Sequence, residues 1–155
     1  MFGWLRKRRR RRLLKKPISA EWLRLLETRV PFYKHLTSAQ QKTLQDQMRI
    51  FATEKHWFGA SGLEVTDEMK VLISASAVRL TLNLDIDVYN RLTEIVIYPN
   101  AYRHPDDDES VILGEARNWG TVVLSWAAVE HGLYNPCDGH DTAVHEFAHV
   151  LDRAS

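Results

Sequence analysis

The spacing of apolar residues predicts three helices in the first half of the chain. They cover about residues 19–29, 37–56 and 67–80. In each segment apolar residues recur three or four positions apart, which places them on one face of a helix. Each segment also begins at or just after a Ser or Thr that can accept hydrogen bonds from the first-turn N–H groups. Thr37 with Gln40 three residues later has the pattern of a capping box.

The second half of the chain mixes strand and helix patterns. Thr93–Tyr98 (TEIVIY) and Gly120–Ser125 (GTVVLS) are rich in β-branched residues, which indicates two strands. Trp126–Leu133 is predicted to form one or two helical turns, and a last helix is predicted over about Asp141–Arg153. Helices followed by a mixture of strands and helices favour the α+β class.

Charge is distributed unevenly along the chain. Residues 1–16 hold nine Lys or Arg and no acidic residue, which leaves twelve basic and twenty acidic residues in 17–155. We therefore predict a basic, disordered arm over 1–16 and one acidic domain over 17–155. A nucleic-acid-binding domain would carry its positive charge on a folded face, so specific nucleic-acid binding is not expected. The arm could still contact anionic lipid or nucleic acid, or serve only to keep the protein in solution.

The cysteine content and the apolar runs bear on location. Cys137 is the single cysteine, so no intrachain disulfide can form, and a reducing compartment is suitable. No apolar run is long enough for a secretory signal or a membrane span. We therefore expect a cytoplasmic protein.

The candidate chemistry lies in the run His145-Glu146-Phe147-Ala148-His149. Residues four apart share one face of a helix, so His145 and His149 can both bind one Zn²⁺. Glu146 lies beside the open position of the metal, where its carboxylate can take a proton from the zinc-bound water. This arrangement is typical of zinc peptidases.

The alternative is a helix that carries two histidines with no metal. Given the composition of the chain, the five-residue pattern would arise by chance with a probability of about 2%. The residues around the motif are mostly apolar, so the helix is predicted to be buried on nearly every side. Buried polar side chains need partners, and a zinc ion would supply them.

Four sequence blocks together resemble the Mlc titration factor A (MtfA) family. The block that holds the motif is TAVHEFAHVLD, and GLEVTDEMKVLISASA, EIVIYPNAY and GTVVLSW precede it. The resemblance implies a zincin-like cytosolic metallopeptidase with aminopeptidase activity on short peptides. It implies that His145 and His149 bind zinc and that Glu146 is the general base. It also implies a possible partner, the glucose-responsive transcriptional repressor Mlc.

The third zinc ligand is where this chain departs from the resemblance. In the family a glutamate on a following helix supplies it, but the chain ends six residues after His149. We expect that ligand beyond residue 155 and interpret the chain as an incomplete zincin-like domain, which we expect to be inactive on its own. Upstream candidates are His104, His140, Asp141 and the run 106–109, for which ordinary loop and cap roles are favoured.

Other candidates carry weaker signals. Asp152 could orient an imidazole or could be a solvated carboxylate at a helix end. Glu115 could lie at the floor of a cleft, although a surface loop is favoured. Cys137 has no evident basic partner, which favours a thiol without a catalytic role.

Two rival functions remain open on sequence grounds. The chain could be a regulatory protein that sequesters a repressor, or a fragment without function. The peptidase is favoured because Glu146 is not a ligand, and a purely structural zinc site would not use it.

Overall fold

The computed structural model describes residues 2–99, 120–134, 146–149 and 151. Five helices and three strands are described with their bounds, two 3-10 turns lie between them, and residues 146–149 and 151 belong to a further helix. The helices are α1 (Phe2–Leu14), α2 (Ala20–Arg29), α3 (Ser38–Glu54), α4 (Asp67–Arg79) and α5 (Trp126–Tyr134). The strands are β1 (His56–Gly59), β2 (Glu94–Tyr98) and β3 (Thr121–Ser125), and the 3-10 turns are Pro31–His35 and Ile86–Tyr89. The mixture of helices with a small sheet confirms the α+β class.

The predicted helix starts are confirmed at the hydrogen-bond level. The Ser19 hydroxyl accepts from the Trp22 N–H at 3.1 Å, and the Thr66 side chain caps α4 in the same way. At α3 both halves of the capping box form: the Gln40 N–H donates to Thr37 Oγ1, and the Thr37 N–H donates to Gln40 Oε1. These bonds satisfy N–H groups that a helix start would otherwise leave unpaired.

The three strands form one parallel sheet in the order β1-β2-β3. Ile95 pairs with Val122 and Ile97 with Leu124, and all four side chains are buried. Alternate residues of β2 and β3 therefore face the core, as their β-branched pattern predicts. Strand β1 was not predicted. The helix predicted over residues 37–56 corresponds to α3, which ends at Glu54, and His56 is the first residue of the strand.

Helix α4 is the centre of the helical layer. Met69 and every residue from Val71 to Val78 are buried, and the helix packs against both α2 and α3. Its two buried serines and two buried alanines take little space, which lets neighbouring helices approach closely. A helix that is buried on nearly every side is the expected centre of a core.

The basic segment at the N-terminus differs from the prediction of a disordered arm. Residues Phe2–Leu14 form helix α1, whose Leu13 and Leu14 pack against the core. The side chain of Arg49 on α3 donates to the carbonyl oxygens of Leu13 (3.1 Å) and Lys16 (2.7 Å). These contacts attach the end of α1 to the rest of the protein. They could not be predicted from the sequence, because the arginine run has no apolar periodicity. No helix in the described part of the chain is both long and apolar enough to cross a bilayer.

Arg10 supplies a second attachment for α1. Its guanidinium binds both carboxylate oxygens of Glu54 at 2.8 Å and one oxygen of Asp87 at 2.6 Å. Only 11% of the Arg10 side chain is exposed. The two carboxylates raise the pKa of Arg10, and the Arg10 hydrogen bond lowers the pKa of Asp87. A bidentate, mostly buried pair of this kind holds its partners in a defined geometry.

Replacing Arg10 with alanine is expected to release α1. The change leaves Glu54 and Asp87 without their common cation, so we expect a loss of about 1–3 kcal/mol in the free energy of unfolding. Hydrogen exchange of the amides in α1 should become faster. Arg11→Ala, at an exposed neighbouring position of the same helix, serves as the control and should leave exchange unchanged. Equal exchange in both variants would show that Arg10 does not hold the helix.

Candidate functional site

The motif helix is described at residues 146–149 and 151, all of which are helical. Phe147 is fully buried at 0% exposure, and Leu151 packs against the same core. Glu146 and Ala148 are half-buried, whereas His149 is exposed. Among the described residues of this helix, Phe147 and Leu151 therefore face the core.

An aromatic cluster fixes the rotation of this helix about its axis. The Phe147 ring lies 5.7 Å from the Phe51 ring at an interplanar angle of 83°, and 5.9 Å from the Tyr89 ring at 75°. Phe51 and Tyr89 contact each other at 5.3 Å. Edge-to-face pairs of this kind add about 0.5–1.5 kcal/mol each beyond area burial. The three rings therefore hold the motif helix against α3 and the 3-10 turn Ile86–Tyr89.

The anchoring of Phe147 decides where the chemical residues of the motif lie. Successive residues of an α-helix are about 100° apart, so His149 lies on the side away from Phe147 and Glu146 on the flank. The observed burial of both residues agrees with this geometry. The expectation that the helix is buried on nearly every side is therefore wrong at His149, which is exposed, whereas Phe147 and Leu151 meet the core.

The polar groups of Tyr89 and Lys55 make hydrogen bonds that hold the aromatic cluster in place. The buried Tyr89 hydroxyl donates to the Ala77 carbonyl at 2.7 Å, and its burial raises the pKa of Tyr89. Lys55 Nζ donates to the carbonyl oxygens of Tyr89 (2.7 Å) and Leu92 (2.6 Å), and lies 5.4 Å from the centre of the Phe51 ring. Burial lowers the pKa of Lys55 to about 8. Sequence reasoning missed this role of Lys55, because the residue stands between Glu54 and His56 in a polar stretch.

Helix α5 follows β3 directly and precedes the motif in the sequence. Arg29 on α2 donates to Glu130 on α5 at 2.8 Å, and it also contacts Tyr134 on α5 and Glu68 on α4. The Ser125 hydroxyl accepts from the Ala128 N–H and so caps the first turn of α5. One arginine therefore joins three helices at the end of the sheet.

Several predicted site residues lie outside the described residues. They are His145, His104, His140, Asp141, the run 106–109, Glu115, Cys137 and Asp152. Among the residues that are described, no group of three or more His, Cys, Asp or Glu is arranged to hold a metal ion. The assignments of His145, Glu146 and His149 as a zinc-binding and catalytic set stay predictions.

Comparison with known proteins identifies the family to which the chain belongs. The sequence profile of the glucose-regulated metallo-peptidase M90 family matches residues 4–155. The chain belongs to this family. The match covers nearly the whole chain, including most of α1, and the assignment confirms the resemblance to Mlc titration factor A proteins. Members of the M90 family are classed as metallopeptidases, and a metallopeptidase uses a metal ion.

Similar proteins support the family assignment and show how much of a relative's length this chain covers. An uncharacterized protein of Synechocystis is 32% identical over 157 residues, covering 93% of this chain and 56% of the relative. A Mlc titration factor A of Klebsiella pneumoniae is 28% identical over 133 residues, covering 79% of this chain and 49% of the relative. One of Salmonella arizonae is 23% identical over 144 residues, covering 86% and 57%. The chain thus spans about half the length of the curated relatives it matches.

Proposed function

We propose that this protein is a zinc-dependent peptidase in which His145 and His149 bind the metal and Glu146 is the general base. The burial of Phe147 carries this proposal, because it leaves Glu146 and His149 on the flank and the outer side of the motif helix. The spacing of four residues predicts that His145 shares the side of His149. A glutamate beyond residue 155 is proposed as the third ligand, in a zincin-like domain that begins near residue 17.

The donor set suits zinc. Two imidazoles and one carboxylate are common ligands of catalytic zinc, with a fourth position left for water or substrate. His149 is exposed and can reach a metal without disturbing the core. When bound, zinc lowers the pKa of water and polarises the scissile carbonyl group.

Glu146 is the residue that moves protons in this proposal. Its half-buried carboxylate accepts a proton from the attacking water and later delivers it to the departing amine. Phe147 positions Glu146, because its fixed ring leaves the helix little freedom to rotate. The proposed substrates are short peptides cleaved at the N-terminal end, in the cytoplasm.

A second candidate function is the capture of a transcriptional repressor. The Klebsiella and Salmonella relatives are named Mlc titration factor A, which favours an Mlc-like partner. In this alternative the zinc site is secondary. A variant that keeps zinc but loses hydrolysis separates the two functions.

Replacing His149 with alanine tests the metal site. The full-length protein is expected to hold about one zinc per chain, and the variant should lose it because two ligands bind zinc far more weakly than three. Zinc content after dialysis, measured by mass spectrometry, provides the readout. His35→Ala removes an exposed histidine from the 3-10 turn Pro31–His35 and should keep the metal. Full zinc content in the His149 variant would remove that residue from the site.

A further inference from the structure

A groove separates α1 from the end of α3 and from the segment 90–93. Its volume is about 470 Å³, which is large enough for a small organic ion. The charged and titratable residues in its wall are Arg6, Arg9, Arg10, Glu54, Lys55 and His56. The groove lies apart from the motif helix: none of the residues in its wall belongs to the metal site proposed above.

The positive charges of this wall are only partly balanced. Arg10 is neutralised by Glu54, which lines the groove, and by Asp87. Within the described part of the chain, Arg6 and Arg9 form no ion pair with an acidic side chain. Among the described residues, Arg6, Arg9 and Lys55 therefore line one groove without a salt bridge to an acidic side chain. Such a concentration of cations in a concave wall attracts anions.

One of the cations in the groove wall, Lys55, is buried. Only 9% of this residue is exposed, and its two hydrogen bonds go to neutral carbonyl groups. Burial is the main cause of its lowered pKa; Glu54 opposes the shift, and Arg10 and Arg6 add to it. An anion in the groove would stabilise the charged form of Lys55.

We propose that this groove binds a phosphate group through Arg6, Arg9 and His56, with Lys55 supplying charge from the wall. Guanidinium groups donate paired hydrogen bonds that match phosphate oxygens, and a phosphate monoester can balance two of the three unpaired cations. A single carboxylate balances only one. The phosphate comes either from a soluble phosphorylated molecule or from a lipid headgroup, and the two sources are distinguishable.

Paired double variants of the full-length protein test the site. Arg6→Gln with Arg9→Gln removes two cations from the groove and leaves Arg10, which fastens α1, in place. Arg11→Gln with Arg12→Gln removes the same charge from exposed positions of α1 that do not line the groove. Binding of inorganic phosphate and of pyrophosphate is measured by calorimetry at about 150 mM ionic strength, where diffuse attraction is largely screened. A second arm measures sedimentation with phosphatidylcholine vesicles with or without phosphatidic acid.

The expected result is saturable binding that the groove variant weakens by about tenfold or more, since charge-assisted hydrogen bonds are lost. The control variant should change the affinity by less than about twofold. This pattern with pyrophosphate assigns a soluble ligand, and the same pattern only with phosphatidic acid vesicles assigns a headgroup. Equal weakening in both variants, or no binding in either arm, would overturn the proposal.

Two further measurements complete the test: one excludes a folding defect in the variants, and the other locates the bound anion. Thermal melting of both double variants should match that of the parent protein, because Arg6 and Arg9 make no ion pair that holds α1. In the unmodified protein, saturating pyrophosphate should raise the pKa of Lys55, followed by NMR of its side chain. An unchanged pKa with ligand bound would place the anion elsewhere and so contradict the groove assignment.

Discussion

Replacing Glu146 with glutamine is expected to abolish peptide hydrolysis while the protein keeps its zinc. The amide has nearly the same shape as the carboxylate but cannot accept the proton of the attacking water. A general base contributes about 10²–10⁴-fold to a rate, so kcat should fall by at least about 10²-fold. Hydrolysis of an amino-acid anilide by the full-length protein measures the loss, and zinc content measured in parallel shows that the site is intact.

The matched control for this variant is Glu64→Gln, which alters an exposed glutamate before α4 and should leave the rate unchanged. Hydrolysis at the parent rate in the Glu146 variant would remove that residue from the mechanism. Retained binding of an Mlc-like repressor by the inactive variant would show that capture of a repressor does not require proteolysis.

Replacing Phe147 with alanine is expected to produce the largest loss of stability. The side chain is fully buried and contacts the Phe51 and Tyr89 rings, so its removal leaves a cavity in the core. Substitutions of this kind cost about 3–5 kcal/mol in the free energy of unfolding. Urea unfolding measures the loss. Zinc content should fall as well, because the helix that carries His149 loses the contact that fixes its rotation.

Phe58→Ala is the control, since this phenylalanine of β1 is exposed and its removal should cost less than about 1 kcal/mol. Phe147→Leu keeps an apolar side chain and should fall between the two. If Phe147→Ala unfolds at the same urea concentration as Phe58→Ala, the aromatic cluster does not hold the motif helix.

The sequence predicted the elements whose signals are local. Helix starts follow from a hydroxyl in the right place, and Thr37 and Gln40 form the reciprocal bonds that their spacing predicts. Strands β2 and β3 follow from their β-branched residues. Strand β1 did not, because its four residues (HWFG) are mostly exposed and acquire their conformation by pairing with β2.

The packing of α1 could not be read from the chain because it depends on distant partners. Arg10 looks like any other residue of the arginine run, yet Glu54 and Asp87, far along the sequence, distinguish it. The division of the chain at residue 16 into an arm and a domain remains a prediction.

The residue types at the motif could be read from the sequence, whereas their orientation depends on the packing of Phe147. The apolar flanks suggested burial all round the helix, whereas the contacts of Phe147 with Phe51 and Tyr89 select one buried face. The supporting role of Tyr89 and Lys55 depends on main-chain carbonyl groups, which no residue pattern announces.

The all-parallel sheet also shapes how the protein reaches its native state. Parallel neighbours cannot be joined by a tight turn, so β1 and β2 pair across a connection that contains the whole of α4. Closing that loop costs conformational entropy, and the strand pairing that offsets this cost forms only afterwards. Helix α3 and the helices beside it can form from local contacts, whereas the sheet must wait for distant segments to meet. Chain topology, more than the strength of any one contact, therefore sets the pace of folding.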